Sequence, residues 1–187
     1  MQIDIGKFVQ ERVTPFRYKH SQRVADLAVE LAKKHGLDAK EAYLAGILHD
    51  LCREIPPERL LALAKEHNII VAEYEKNWPI VLHGKVAAEV YQDQFNLSDA
   101  VKDAIAFHVT GRPGMRELAY IIYLADKLEE GRDYPGIEKL RLLAMENYPA
   151  ALLESLNSSL YYLLQKGCPI HPDTNALRNS LLLKFKP

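Results

Sequence analysis

The sequence predicts an all-α protein that forms a single compact helical bundle. Apolar residues recur at helical spacing along almost the whole chain, and no long stretch alternates between apolar and polar residues as a half-buried strand would. Capping residues, prolines and glycines divide this pattern into segments of helical length. The 187 residues suffice for one core, and neither a linker nor a repeat interrupts them. We therefore expect one domain over residues 1–187.

Two helices are predicted in the first 50 residues. Thr14 and Pro15 suit the cap and first position of a helix, and Gly36 suits its end. Asp38 followed by Glu41 resembles a capping box that starts the second helix. Each helix has an apolar side that also carries a histidine. The first side contains Phe16, His20, Leu27 and Leu31, and the second contains Ala42, Ala45, Gly46 and His49.

Similar signals predict the remaining helices. Prolines, glycines and one serine cap mark where these segments begin and end. In chain order they are a helix from Pro56-Pro57 to His67-Asn68, one from Pro79 to Val90, one from Ser98 to the break at Gly111, one from Met115 to Glu130, two between Ile137 and Lys166, and a last one that follows Thr174.

Composition excludes several classes of protein. Hydrophobic residues make up 48% and charged residues 26% of the chain, as in globular proteins, and the net charge of −1 provides no general attraction for nucleic acid or anionic membranes. Cys52 and Cys168 match no zinc-binding spacing, so we expect two reduced thiols. The amino terminus lacks the pattern of a signal peptide, and the longest apolar run, Leu118 to Ala125, falls well short of the roughly 20 residues that span a bilayer. We therefore expect a cytoplasmic protein.

Polar side chains interrupt the apolar faces of several predicted helices. An ionised carboxylate in a core is costly unless it is paired or bound to a metal. Each of these residues could be satisfied separately, and His49-Asp50 could simply cap a helix end. A shared metal ion would satisfy all of them together, and nitrogen with carboxylate ligands suits iron, manganese or another first-row divalent ion. These residues are His20, His49, Asp50, His83, His108 and Asp126.

Cations lie close in sequence to three of these residues. Arg17 precedes His20 by three positions, Arg53 follows Asp50 by three, and Arg132 follows the helix of Asp126. They are either solvated surface residues or binding groups for phosphate, which the planar guanidinium binds through two oxygens. The loop Cys168–Thr174 precedes a helix and is either a connector or a second phosphate contact. His35 and His67 lie at helix ends, where we expect them to be solvated.

The order of His20, His49-Asp50 and Asp126 along the chain resembles the motif of the HD-domain superfamily of metal-dependent phosphohydrolases. Over nearly the full length, the chain is most similar to the bacterial YqeK-type symmetrical dinucleoside-tetraphosphate hydrolases. It differs from their pattern in having Arg53 where lysine is more usual and Asp173 where asparagine is expected. The matching stretches are Arg17–His20, Leu48–Glu54, Leu82–Gly84, Ala106–Gly111, Ala125–Glu129 with Arg132, and Ile170–Thr174.

The resemblance implies an all-α HD-domain helical bundle that hydrolyses diadenosine tetraphosphate at its centre to give two ADP. It implies iron, with manganese, nickel, cobalt or magnesium as alternatives, as one ion or two. A metal core at about 15–131 would be completed by C-terminal helices 137–187 at the nucleotide site, and a homodimer is one possible assembly. The implied metal ligands are His20, His49, Asp50 and Asp126.

Catalysis is assigned by hypothesis to Asp50, which would orient the attacking water, and to His83 and His108, which would neutralise charge on the phosphate oxygens. The resemblance also implies a set of residues around the substrate. They are Arg17, Asp50, Leu51, Cys52, Arg53, His83, His108, Arg132, Ile170, His171, Pro172, Asp173 and Thr174.

Three other functions are compatible with the same residues. A phosphohydrolase of another nucleotide would differ in substrate and products. A di-iron oxygenase would need two irons and would consume oxygen. A nucleotide-sensing module would bind its ligand without cleaving it, so a turnover assay with added metal separates it from the enzymes.

Overall fold

The computed structural model describes residues 3–184, and all regular secondary structure within that range is helical, as predicted. A short 3₁₀ turn, Pro79–Leu82, precedes α6. The α-helices are α1 (Ile5–Gln10), α2 (Pro15–His35), α3 (Ala39–Leu48), α4 (Pro57–Glu66), α5 (Glu73–Asn77), α6 (His83–Val90), α7 (Gln92–Phe95), α8 (Asp99–Phe107), α9 (Glu117–Leu128), α10 (Ile137–Glu146), α11 (Tyr148–Gln165) and α12 (Pro172–Lys184).

Helix α2 begins and ends where the sequence predicts. The Thr14 hydroxyl accepts a hydrogen bond from the Arg17 amide at 3.3 Å, Pro15 is the first helical residue, and Gly36 ends the helix with a φ of 74°. The prediction for Phe16 is wrong, because its side chain is 72% exposed instead of facing the core with His20. The first turn of α2 extends beyond the core, so helical periodicity alone does not bury Phe16.

Helix α3 packs closely against α2. A Cβ atom on Gly46 would lie 2.6 Å from the Cα of Ala25, so only glycine permits this separation of the two helices. The capping box is confirmed only in part. Asp38 caps the amides of Lys40 and Glu41, but the Glu41 carboxylate accepts from the Ser98 hydroxyl at 2.5 Å and so ties α3 to the start of α8.

Helix α9 passes through the centre of the bundle. Nine of its side chains are buried, from Leu118 to Leu128, and it contacts α2, α3, α8, α10 and α11. The helix is shorter at both ends than predicted, because Arg116 caps its start and the chain leaves helical geometry at Glu129. Asp126 therefore lies in the last turn, and it is buried.

Other predictions of helix ends are corrected by one to four residues. Helix α3 ends at Leu48, so His49 caps it instead of lying inside it. The segment predicted to begin at Pro79 is a 3₁₀ turn followed by α6. The last helix starts at Pro172 and already contains Thr174. Short helices α1, α5 and α7 lack strong sequence signals and were not predicted.

His35 is not solvated as expected. Its Nε2 lies 2.8 Å from the Ala144 carbonyl oxygen, and its ring packs against Tyr148. It therefore joins the end of α2 to the C-terminal helices, whereas His67 is exposed as predicted. Both cysteines are free, as expected. None of the described helices is long and apolar enough to cross a membrane.

Candidate metal centre

The six inward polar residues predicted from sequence lie together at the centre of the bundle. Each is at most 9% exposed. They come from five helices, and five of the six residues lie at a helix end or in a last turn. His20 is on α2, His49 and Asp50 directly follow α3, His83 starts α6, His108 directly follows α8, and Asp126 is on α9.

The Asp50 carboxylate is the junction of the cluster. Its Oδ2 lies 3.6 Å from His20 Nε2 and 3.5 Å from His49 Nε2. Its Oδ1 lies 3.0 Å from His83 Nε2 and 3.5 Å from His108 Nε2. Asp126 Oδ1 joins the first group, at 3.1 Å from His20 Nε2. The cluster therefore has two sides, which meet at the two oxygens of Asp50.

Hydrogen bonds to the outer ring nitrogens orient the imidazoles. The Nδ1 atoms of His49, His83 and His108 each lie 2.6–2.8 Å from the backbone carbonyl oxygen three residues earlier. A carbonyl oxygen only accepts, so in each neutral ring Nδ1 carries the proton and Nε2 presents a lone pair to the cluster. His20 has the same orientation, because its Nδ1 lies 3.1 Å from a Glu129 carboxylate oxygen.

The inner nitrogens fit a divalent metal ion. His20 Nε2 and His49 Nε2 are buried and have no hydrogen-bond partner among the described residues. Two buried lone pairs directed at carboxylates are unfavourable unless a proton or a cation lies between them. His20, His49 and Asp50 offer ligand atoms within 4.8 Å of one another, and so do Asp50, His83 and His108. Separate hydrogen bonds within the protein do not satisfy these two nitrogens.

The carboxylates of the cluster are ionised. Burial opposes ionisation of Asp50, but His49, His108 and His83 outweigh it and hold the pKa of this carboxyl well below its usual range. Burial likewise opposes ionisation of Asp126, and Lys127 and His20 outweigh it, so its pKa is also well below the usual range. Burial lowers the pKa of His108 to about 4, and the facing Asp50 carboxylate opposes this shift only in part. Its imidazole is therefore neutral near pH 7.

Two of the predicted arginines border the cluster. Arg17 Nη1 donates to Asp50 Oδ2 at 2.6 Å, and Arg132 Nη2 donates to Asp126 Oδ1 at 2.8 Å. Lys127, which was not predicted, donates to the other Asp126 oxygen at 3.2 Å. Arg53 is half-buried in the turn after Asp50, and its amide binds the Asp50 carbonyl oxygen. Arg17, Arg132 and Lys127 thus place positive charge beside the two carboxylates of the cluster.

Two predicted substrate contacts have their side chains in the core. Leu51 is 5% exposed and Cys52 is 1% exposed. Burial raises the pKa of the Cys52 thiol to about 12, so the thiol stays protonated and unreactive. Any contact of these two residues with a substrate would therefore use their backbone atoms.

The C-terminal loop, which we define as Ile170–Thr174 and which includes the first three residues of α12, lies on the His83 and His108 side of the cluster. The Thr174 hydroxyl donates to the Thr110 carbonyl oxygen at 2.7 Å, just beyond His108. His171 is buried, and its Nδ1 accepts from the Asp173 amide at 3.1 Å, so it has the opposite tautomer to the four cluster histidines. Ile170 and Asp173 are half-buried, and Pro172 is exposed. The loop is thus fastened beside the cluster without joining it.

The sequence analysis missed two buried glutamates. Glu129 is 2% exposed, and besides His20 it accepts from Arg23 and from the Gly131 amide at 2.6 Å. Glu75 is 1% exposed, 2.6 Å from Lys85 Nζ and 3.7 Å from His171 Nε2. Glu129 lies within Ala125–Glu129, one of the stretches that match the family, and this match could have identified it. Glu75 has no comparable motif.

Comparison with known proteins agrees with this geometry. Residues 17–131 match the model of the HD domain family. Two symmetrical bis(5'-nucleosyl)-tetraphosphatases are similar over most of the chain. The one from Bacillus subtilis is 34% identical and covers 93% of this chain and 94% of its own, and the one from Halalkalibacterium halodurans is 36% identical and covers 96% of each.

A solved structure has the same fold. The crystal structure of a protein from Clostridium acetobutylicum, described as a predicted HD superfamily hydrolase involved in NAD metabolism, superposes with a TM-score of 0.92 at 32% identity and covers 96% of both chains. The matched family segment contains all six residues of the cluster. From its sequence, its fold and this centre, the chain belongs to the HD-domain family.

Proposed function

We propose that this protein is a metal-dependent hydrolase that cleaves diadenosine tetraphosphate symmetrically into two ADP. The observation that carries the proposal is the buried His–Asp cluster, in which two imidazole nitrogens face carboxylates and have no hydrogen-bond partner among the described residues. The full-length similarity to two symmetrical bis(5'-nucleosyl)-tetraphosphatases supports the choice of substrate. The same similarity favours this reaction over the three alternatives, which are hydrolysis of another nucleotide, an oxygenase reaction and nucleotide sensing without cleavage.

The proposed ligands of the metal are His20, His49, Asp50 and Asp126. Two imidazoles and two carboxylates form a mixed nitrogen and oxygen donor set, which suits iron, our first choice, and also manganese, cobalt or nickel better than magnesium. When bound, a divalent ion there supplies Lewis acidity towards a phosphate oxygen and lowers the pKa of a water molecule.

The protein side chains would position the reactants. Asp50 is ionised and central, so we assign it the orientation of the attacking water through Oδ1. His83 and His108 face this oxygen, and each would donate from Nε2, once that nitrogen is protonated, to a phosphate oxygen on which charge develops. Arg17 and Arg132, at the opposite side of the cluster, would neutralise further phosphate charge.

The C-terminal segment would complete the nucleotide site. We propose that the metal core at about 15–131 performs the chemistry and that helices within 137–187, through the loop Ile170–Thr174, hold one ADP half of the substrate. The contact between Thr174 and Thr110 supports this arrangement, because it holds the loop next to His108. A cytoplasmic location suits the nucleotide substrate and the two free cysteines. The homodimer stays a prediction, which light scattering after gel filtration would check.

Product analysis tests the proposed function. The protein loaded with iron or manganese is incubated with diadenosine tetraphosphate, and the nucleotides are separated by chromatography. Two ADP per substrate are expected. ATP with AMP would contradict symmetrical cleavage, and intact substrate bound to a fully metallated protein would support sensing instead. Cyclic dinucleotides and deoxynucleoside triphosphates, assayed in parallel, would reveal a different preferred substrate.

A further inference from the structure

Phe16 is a large aromatic residue that the fold leaves in solvent. Its side chain is 72% exposed, the largest exposed fraction of any aromatic residue among those described. The Arg17 guanidinium carbon lies 5.9 Å from the ring centroid, at the outer limit of a cation–π contact. Neither the core nor a close cation therefore accounts for an aromatic ring at this position.

Phe16 lies one helical turn before His20 of the metal centre. Phe16 precedes His20 by four residues, so both project from the same face of α2, and the direction of His20 falls between those of Phe16 and Arg17. Helical side chains lean towards the N-terminus, which carries the Phe16 ring away from the buried His20 and towards the surface. Arg17 reaches inward to Asp50 at 2.6 Å.

The backbone that carries Phe16 is held in place. Glu54 accepts from the Thr14 amide at 2.9 Å and from the Thr14 hydroxyl at 2.6 Å. This pair of hydrogen bonds fastens the start of α2 to the loop that follows Asp50. The exposed ring is thus presented on a fixed support, which lowers the entropy lost when a flat ligand stacks on it.

A symmetrical substrate needs two nucleoside positions. Cleavage at the centre of four phosphates leaves one ADP half on each side of the metal centre. The C-terminal loop lies on the side of Asp50 Oδ1, with His83 and His108, whereas α2 lies on the side of Oδ2, with His20 and Arg17. If the loop holds one half, the second must extend past the first turn of α2.

We propose that Phe16 is the stacking platform for the second nucleobase and therefore selects dinucleoside over mononucleoside polyphosphates. The inference rests on the proposed function and extends it, because it names the residue that recognises the half of the substrate opposite the C-terminal loop. Every base offers a flat face to an aromatic ring, so the platform accepts purines generally and favours them over the smaller pyrimidines.

The test compares two ligands that differ by one nucleoside. Wild type and Phe16→Ala are assayed with diadenosine tetraphosphate as substrate and with adenosine 5'-tetraphosphate as a competitor. In the variant, kcat/KM for diadenosine tetraphosphate is expected to fall about tenfold, within the range for loss of one base–aromatic stack, while the inhibition constant of adenosine tetraphosphate changes less than about twofold. Phe16→Trp is expected to restore the wild-type value.

Tyr161→Ala is the matched control, because Tyr161 is 64% exposed on α11 and has no proposed role. Equal losses for both ligands in Phe16→Ala, or no loss for either, would overturn the proposal. A wild type that does not cleave diadenosine tetraphosphate would instead refute the proposed function, and this outcome is visible before any variant is compared. Since Phe16 is exposed, its replacement leaves the core intact, which the melting temperature verifies.

Discussion

At the scale of single residues, the centre depends on how each donor atom is directed. The backbone carbonyl that binds Nδ1 of His49, His83 or His108 leaves Nε2 free to face Asp50. Glu129 does the same for His20 through a carboxylate, which makes the imidazole a better ligand than a carbonyl partner would. Asp50 contacts both sides of the cluster and has no equivalent among the described residues.

Replacing Asp50 with alanine is expected to abolish both metal binding and hydrolysis. The change removes a proposed ligand and leaves four neighbouring imidazole nitrogens without their shared carboxylate. Metal content is measured by plasma mass spectrometry and turnover by ADP release. Asp26→Ala, at an exposed aspartate of α2, serves as the control and should keep both. Full activity of the Asp50 variant would refute the assignment.

Glu129→Gln tests whether the carboxylate behind His20 tunes the metal site. The amide removes the negative charge that faces His20 Nδ1 and Arg23, while it keeps nearly the same volume. Metal affinity is expected to fall about 10- to 100-fold, and activity should return at high metal concentration. Competition with a chromogenic chelator measures the affinity. Glu130→Gln is the control, since Glu130 is the exposed neighbour, and an equal effect of both changes would contradict the role.

At the scale of elements, helix ends assemble the site. Helices α3 and α8 each end directly before a cluster histidine, and α6 begins with one. At these positions Nδ1 of each histidine can donate to the backbone carbonyl oxygen three residues earlier. Glu75 adds a further connection, because it joins α5 to α6 through Lys85 and to the C-terminal loop near His171. The Tyr74 hydroxyl donates to the Pro169 carbonyl at 3.0 Å and strengthens that junction.

Glu75→Gln is expected to destabilise the protein by about 1–3 kcal/mol near pH 7, because Lys85 loses its buried carboxylate partner. Burial opposes ionisation of Glu75, but His171, Lys85 and the Ala72 amide outweigh it and lower its pKa to about 2 from 4.5. A lowered carboxyl pKa stabilises the fold fully above about pH 4.5, and this contribution is lost as the pH falls towards 2.

The difference in unfolding free energy between wild type and Glu75→Gln should therefore shrink with acidification. Urea unfolding at several pH values measures it. Glu73→Gln is the matched control, because the Glu73 side chain is 79% exposed and pairs only with the exposed Lys76. A difference that stays constant from pH 7 to pH 3 would show that the carboxylate charge of Glu75 is not responsible.

At the scale of the whole molecule, the proposed metal joins α2 and α3, which are consecutive in the chain, to the distant helix α9. His20, His49-Asp50 and Asp126 belong to α2, the end of α3 and α9, which also form the tightly packed middle of the bundle. An ion bound there therefore links the folding of distant segments, since the ligands converge only in the folded state.

Metal removal is expected to lower the melting temperature. A ligand present at about 1,000 times its dissociation constant stabilises a fold by about 4 kcal/mol, which for a protein of this size is roughly 10 °C. Dialysis against a chelator, followed by titration with iron or manganese and differential scanning fluorimetry, measures the change. In Asp126→Asn the gain on metal addition should be much smaller. An unchanged melting temperature after verified metal removal would contradict this coupling.

The sequence by itself determined the helical fold, both ends of α2, the starts of α3 and α8, and the six residues of the cluster. Caps, prolines and glycines act locally, and polar residues on apolar faces are visible without a structure. Only the tertiary structure decided which groups surround the cluster. Glu129 meets His20 across 109 positions, and Glu75 approaches His171 from a distant helix. Likewise, whether Phe16 is buried depended on where the core ends, because burial is decided by the neighbours that a folded chain brings together and not by the period of one helix.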